Sequence, residues 1–443
     1  MPERITCDVL VAGSGAAGIA AAAAAVRCDA RVALVEKYGF LGGLATAGQV
    51  GTVCGLPPSA DALVTPFSGL AFVEEWLTSL ALASATQVTS VPGGLRVLPY
   101  KQWMFRRLAD QLAAPSQLLI PALHATLTDV RIDANGVDAR ALVWDRVMSF
   151  RAKALVDCTG EATAIYLAGG EVIEQETPQT PGVVFTMEGV DAGLQQLSGR
   201  LSVMLAAARG GNSGKLSAPA RAASFVPGSA RDGRVDIKLP CEPGAPADGP
   251  LWMTKLEMTA RRYVTELSDF LTREVPAFRR ARLGQVATQV GVRVGRRANG
   301  LKTLTQTDVL ECRKCEDGVA WGTWPIEQWN GRRTPRMKPL LDAAYYEIPL
   351  GCLRAADIDN AWMAGRCISA DGHALASARV IGTALSTGWA AGTAAAYQAI
   401  GRTSSEAIKA LRGAAAARPG REVECAETPP ERQTSKPVRS SDP

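Results

Sequence analysis

Six residues near the amino terminus, Gly13-Ser14-Gly15-Ala16-Ala17-Gly18, restrict the fold of everything around them. They follow Asp8 to Ala12, a short apolar run with the length and composition of a buried strand. They lead into an alanine-rich stretch through Val26 that reads as a helix, and a second strand, Arg31 to Val35, ends in Glu36. Strand, glycine turn, helix, strand and acid in this order make a complete βαβ dinucleotide fingerprint. Gly13 permits the tight turn, Gly15 lets backbone approach a pyrophosphate, and Gly18 lets the helix pack close on the strand. Ala16 and Ala17 open the helix, whose N-terminus offers free N–H groups and partial positive charge to phosphates. Glu36 falls about 20 residues downstream, where a carboxylate accepts from ribose hydroxyls.

At 443 residues the chain is too long for one simple core, and length alone points to about two or three domains. A hydrophobic content of 47% with 21% charged residues describes an ordinary soluble protein. The net charge of +5 is modest and has no dense cationic cluster except around Arg293 to Arg297 and in the tail. That balance argues against a nucleic-acid partner. The first apolar run is the fingerprint strand rather than a signal peptide, and Ile19 to Val26 is too short to span a bilayer. No membrane association is expected. Ten cysteines are scattered along the chain, several of them in core-like strands, which suits a reducing, cytoplasmic setting without a disulfide framework.

A second glycine-studded loop follows the acid: Glu36-Lys37-Tyr38-Gly39-Phe40-Leu41-Gly42-Gly43-Leu44-Ala45-Thr46-Ala47-Gly48. It resembles the extension by which glutathione-reductase-type flavoproteins wrap FAD. More closely, it resembles the E-[KR]-x-G-F-L-G-G-x-A-T-x-G signature of a large bacterial family of FAD-dependent oxidoreductases. Two further blocks agree. Asp157-Cys158-Thr159-Gly160 stands where an A/D-x-T-G segment closes the FAD domain, and Asn360 to Gly392 resembles the family's C-terminal N-[LA]-x-x-A-G-R-C-I-S-A block. The resemblance implies FAD as cofactor. It assigns contacts to Lys37, Gly42, Gly43, Leu44, Ala45 and Thr46, to Leu127, Thr159 and Gly160, and to Gly365, Arg366, Gly382 and Thr383. The helix beginning near Gly382 would point its N-terminus at the flavin, where it stabilises negative charge by about 0.3–2 kcal/mol.

The expected fold class is α/β: a Rossmann-type FAD domain, its parallel sheet flanked by helices and a β-meander, with an inserted α+β substrate domain. Residues 1–169 and 346–412 would form the FAD domain, 170–345 the substrate domain and 413–443 a disordered tail. Leu123 to Val130 and Val137 to Val143 alternate about an Asn135-Gly136 hairpin turn. Leu251 to Thr272 and Val380 to Tyr397 read as helices, whereas Ser198 to Pro250, rich in Gly, Ala, Ser and Pro, reads as a long loop.

His373 and Arg379 lie in the C-terminal block and are the catalytic candidates. His373 is one of two histidines and could take a proton as hydride leaves the substrate, or only contact the cofactor or its loop. Arg379 offers a rigid fork that could grip a substrate carboxylate or face the flavin, and a helix-start cation facing solvent is the bland alternative. His124 reads as structural or near the adenine. Gly291 to Gly300 resembles the family's G-V-R-E-[TS]-R-R-x-x-G segment, but Val294 and Gly295 replace the usual Glu and Thr or Ser. Arg293 remains a substrate-side candidate, as do Cys54, in the loop beyond Gly42-Gly43, and Trp329, where the family pattern implies a histidine. Cys312-Arg313-Lys314-Cys315 is a C-x-x-C flanked by cations, read first as a polar loop and only secondarily as a redox or metal pair; no metal is expected.

A single dinucleotide fingerprint without a cysteine pair beside Gly43 argues against a pyridine-nucleotide-disulfide reductase. The expected activity is hydride transfer between a small organic substrate and flavin N5, with oxygen or a carrier reoxidising the flavin. An NAD(P)H-fed reductase or hydroxylase is the alternative, and an RNA-modifying flavoprotein a more distant one. A homo-oligomer is left open.

Overall fold

The computed structural model describes residues 3–413, except 60–62, 64–65, 92, 175–178, 192–200, 202–204, 206–215, 243–250, 331–333 and 342–344. The tail expected to be disordered, and much of the stretch read as a long loop, fall outside the described residues.

Five parallel strands form the central sheet in the spatial order Ala361–Met363, Ala154–Asp157, Val9–Ala12, Val32–Val35 and Leu119–Ala122. The three central strands are buried along their whole length, which is why they read as continuous apolar runs and not as alternation. The fingerprint helix Ala16–Arg27 covers one face and is itself covered by the last long helix, Ile381–Ala399. Their side chains are almost all Ala, Gly, Ser or Thr, so the two backbones nearly touch. A Cβ on Gly388 would run into the carbonyl of Ala17, and one on Gly392 into that of Ala21.

The meander lies on the other side: Ala125–Asp133, Gly136–Val143 and Arg146–Ala152 are antiparallel neighbours, and Glu3–Thr6 runs parallel to the last. The Asn135-Gly136 turn is where the alternation put it; the third strand and the N-terminal strand are additions.

A second core lies apart from the first. The strands Ser224–Phe225, Arg234–Pro240, Gly182–Glu188 and Arg282–Val286 make an antiparallel sheet in that order. The helix Trp252–Glu274 packs Leu256, Tyr263, Val264, Leu267 and Leu271 against it. Arg234–Pro240 corrects the reading of Ser198 to Pro250 as loop. Val235, Ile237 and Leu239 are fully buried in that core, and Asp236 and Lys238 point the other way. Residues between Val294 and Tyr345 contribute Leu304, Val309, Trp321 and Ile326 to the larger core around the central sheet. No helix among the described residues is long and apolar enough to cross a membrane.

Candidate functional site

An open-mouthed cleft with about 1270 Å³ of empty space runs along the carboxyl ends of the parallel strands. Gly13, Gly15, Ala16 and Ala17 form its floor. Gly13 holds φ at +88°, where its turn presses on the backbone of Cys158. Gly15 is different, because a Cβ there would meet no atom within 4 Å. Its missing side chain is open cleft at the start of a helix, the room a pyrophosphate needs.

At one end stands Glu36, which is buried and accepts from Ser14 N at 2.9 Å, Ser14 Oγ at 2.7 Å and Tyr38 N at 2.9 Å. These bonds fix the carboxylate at the rim beside Lys37 and, across the cleft, Leu127. The loop beyond is fastened by side chains. Tyr38 and Phe40 stack at 5.2 Å, Arg106 lies over Phe40 at 4.0 Å, and Tyr100 OH donates to Ala45 O at 2.8 Å. Gly42, Gly43, Leu44 and Ala45 line the cleft; Thr46 turns away and donates to Leu41 O at 2.8 Å. Gly18 is absent from the lining as well, since it packs under the helix against Gly13.

The wall opposite is built on Asp157. Its buried carboxylate accepts from Thr159 N, Ala164 N and Ile165 N at 2.8–3.0 Å, which turns the chain sharply and presents Thr159 and Gly160 to the cleft. Gly365 and Arg366 complete that wall. Arg366 pairs with Glu161 at 3.0 Å and donates to Val292 O. A side chain at Gly295 would collide with Glu161. The carboxylate that the family pattern puts near position 294 is absent from 294 and 295, and Glu161 fills the space beside Gly295.

Arg379, Ile381, Ala384 and Gln289 line the far end. The helix starting at Ile381 has no side-chain cap. Gly382 N donates to Cys54 O at 3.0 Å, so the loop around Cys54 is tied to the helix start, and the buried Thr383 hydroxyl has no partner. Neither Gly382 nor Thr383 lines the cleft. His373 does not line it either. It is the second residue of the helix Gly372–Ala378, half-buried, its N–H held by the capping Asp371 at 2.8 Å. Arg379, six residues on and just past the end of that helix, is set about 120° away from it round the axis. His124 stands near the opposite end, its N–H bonded to Tyr38 O at 3.0 Å and its ring edge-on to Trp144 at 6.2 Å.

Beyond Arg379 lies a charged chamber whose members come from four segments. Glu327 accepts from the indole N–H of Trp324 at 3.0 Å and of Trp329 at 2.9 Å. Arg379 stands 3.8 Å from the same carboxylate and donates to the backbone oxygen of Glu327 at 3.3 Å. The Trp329 ring carries two cations, Lys238 at 4.0 Å and Arg293 at 4.5 Å from its centroid. Arg293 also donates to Thr180 O. Burial alone would raise Glu327, but Arg379, Lys238, the Trp324 N–H and Arg293 outweigh it and hold the carboxyl below its usual range. Burial pulls Lys238 down to about 8 despite Glu327, with Arg293 and Arg379 adding repulsion. Burial and Arg379 also lower Arg293, although a guanidinium stays charged at neutral pH. Cys54 is pushed up to about 12 by burial and by Glu327, so it is a neutral thiol. The Arg379 and Glu327 side chains nevertheless keep 12% and 16% of their surface open.

Lys238, Glu327 and Gln179, whose amide oxygen meets Arg379 at 3.5 Å, belong to this end of the site, and none of them stands out in the sequence alone. Lys238 had a signal, the alternation of Val235, Ile237 and Leu239. Glu327 stood between two tryptophans that drew notice before it. The C-x-x-C pair is integrated into the fold: burial raises the Cys315 thiol to about 12, and Lys314 donates to the carbonyls of Cys312 and Tyr345.

The profile of a family described as FAD dependent oxidoreductase matches residues 8–416, almost the whole chain. No curated protein matches the chain in sequence. Among solved structures, an anhydrotetracycline hydroxylase from Streptomyces rimosus is similar at 12% identity and a TM-score of 0.50, over 92% of this chain and 65% of that one. A geranylgeranyl bacteriochlorophyll reductase-like protein from Thermoplasma acidophilum is similar at 12% identity and a TM-score of 0.48, over 92% of this chain and 82% of that one.

Proposed function

Because the chain belongs to the FAD-dependent oxidoreductase family, we propose that it oxidises a small organic substrate held in the chamber beyond Arg379. FAD would supply the two-electron chemistry, taking a hydride at flavin N5 and passing the electrons to oxygen or a carrier. Gly13 to Ala17, Glu36, Gly42 to Ala45, Thr159, Gly160 and Gly365 would hold the cofactor. Arg379 carries the reading, since it lines the long cleft and also contacts Glu327 in the chamber. A single side chain thus borders both the cofactor's room and the room beside it.

The protein's share of the work is orientation and exclusion of water. Trp324 and Trp329 fix the Glu327 carboxylate through both its oxygens, and Glu327 in turn fixes Arg379. His373 stands outside this set, so proton removal is not assigned to it.

The competing reading, an NAD(P)H-fed reductase or hydroxylase, draws on one of the similar structures being a hydroxylase. Anaerobic mixing separates the two. The proposal expects the yellow of bound FAD to survive NADPH and to bleach with an organic substrate from a metabolite screen. Rapid bleaching by NADPH alone would overturn it in favour of the hydroxylase or reductase.

A further inference from the structure

Among the described residues, charge in the chamber does not balance. Three cations, Lys238, Arg293 and Arg379, converge on one carboxylate, Glu327, and the Cys54 thiol that also acts on Lys238 is neutral. Glu327 is already occupied by two indole donors and Arg379. The surplus cations lie over the Trp329 ring with no acid of their own within ion-pair distance among the described residues.

Hydrogen bonding shows the same deficit. Gln179 is 4% exposed; its Oε1 meets Arg379 at 3.5 Å, and its amide nitrogen is buried without a partner among the described residues. Arg379 Nε is likewise buried and without a partner among them. Both orphaned groups are donors, as are the Lys238 ammonium and the Arg293 guanidinium. A buried donor without an acceptor costs free energy, and a buried cation without an anion costs more. Every unmet requirement asks for acceptor oxygens carrying negative charge.

We infer that the chamber is a carboxylate-binding subsite formed by Lys238, Arg293, Arg379 and Gln179, and that the substrate is a small organic acid. This rests on the chamber being the substrate side of the FAD cleft. Glu327 serves as the internal counter-charge that keeps the cations gathered when no acid is bound. A substrate carboxylate would accept from Arg379 Nε and the Gln179 amide.

Binding of benzoate and of its uncharged counterpart benzamide to the purified, FAD-loaded protein tests this by calorimetry, with succinate as an aliphatic dicarboxylate. The expected result is a preference for the carboxylates over benzamide of about tenfold or more, weakened by added salt. Lys238→Met and Arg293→Met would each reduce that preference about tenfold while FAD content and the circular dichroism spectrum stay unchanged. Equal binding of benzoate and benzamide by an FAD-loaded protein overturns the inference and leaves the flavoenzyme reading standing. Retention of the preference in both variants also overturns it. A protein that takes up no FAD overturns the flavoenzyme reading instead. Carboxylate preference is then decided by the same titration on that protein, where its presence supports the subsite and its absence overturns it.

Discussion

Replacing Lys238 by methionine should make the folded protein more stable while impairing what the chamber does. The lysine is held at about 8 in place of 10.5, so folding must work against its charge at neutral pH. A drop of that size corresponds to about 3 kcal/mol of destabilisation. The cation over Trp329 returns about 1 kcal/mol of this. Methionine keeps the apolar stem and loses both contributions, which leaves a net gain of about 2 kcal/mol at pH 7. Because the folded value is depressed, the penalty is fully present below pH 8 and fades as pH rises towards 10.5, where the unfolded lysine also loses its proton. Urea unfolding of the two proteins at one fixed FAD concentration reads this directly. At pH 7 the variant's midpoint should lie higher by about 0.7 M, given a slope near the top of the ~1–3 kcal/mol/M range. At pH 10 most of the gap should be gone. A variant that is less stable at pH 7, or a gap that ignores pH, would refute the view of Lys238 as a strained cation.

Other outcomes follow from the same geometry. Gly15→Val puts a side chain into open cleft and not into protein, so the thermal melt of the FAD-free protein should hardly move while bound FAD, read at its visible absorbance, falls about tenfold or more. Gly392→Val drives a side chain into the Ala21 carbonyl and should cost about 3 kcal/mol or more, seen as a lowered melting temperature. Asp157→Ala strands the N–H groups of Thr159, Ala164 and Ile165, with an expected loss of about 2–4 kcal/mol in urea titration. Carboxylate affinity should decline as pH rises through about 8, where Lys238 loses its proton among Glu327, Arg293, Arg379 and Cys54, and Lys238→Met should flatten that profile in calorimetry.

The cofactor half of the site was legible because its requirements are local. A strand, a glycine turn and a helix are adjacent in sequence, so Gly13 to Glu36 states its geometry in one stretch. The Asn135-Gly136 turn and the helix Trp252–Glu274 were legible for the same reason, period and punctuation lying within one window. The chamber was not. Lys238, Arg293, Glu327 and Arg379 are separated by long intervals and meet only through tertiary packing, and no periodicity links them. Arg293 and Trp329 were singled out, but their joint arrangement over one ring is a property of three segments together. Arg234–Pro240 had the alternation of a strand, yet its Gly- and Pro-rich flanks outweighed that signal. His373 shows the converse, since a titratable residue in a motif attracts attention although it does not line the cleft.

The nearly bare contact of Gly388 and Gly392 with Ala17 and Ala21 has a consequence for biosynthesis. The fingerprint segment leaves the ribosome long before the helix that packs on it is made. Throughout translation the nascent fingerprint helix must keep one apolar, small-residue face uncovered, waiting for a partner most of the chain away. FAD should therefore be captured after synthesis rather than during it. A ribosome-stalled chain ending near residue 360 would have the fingerprint and still retain no flavin.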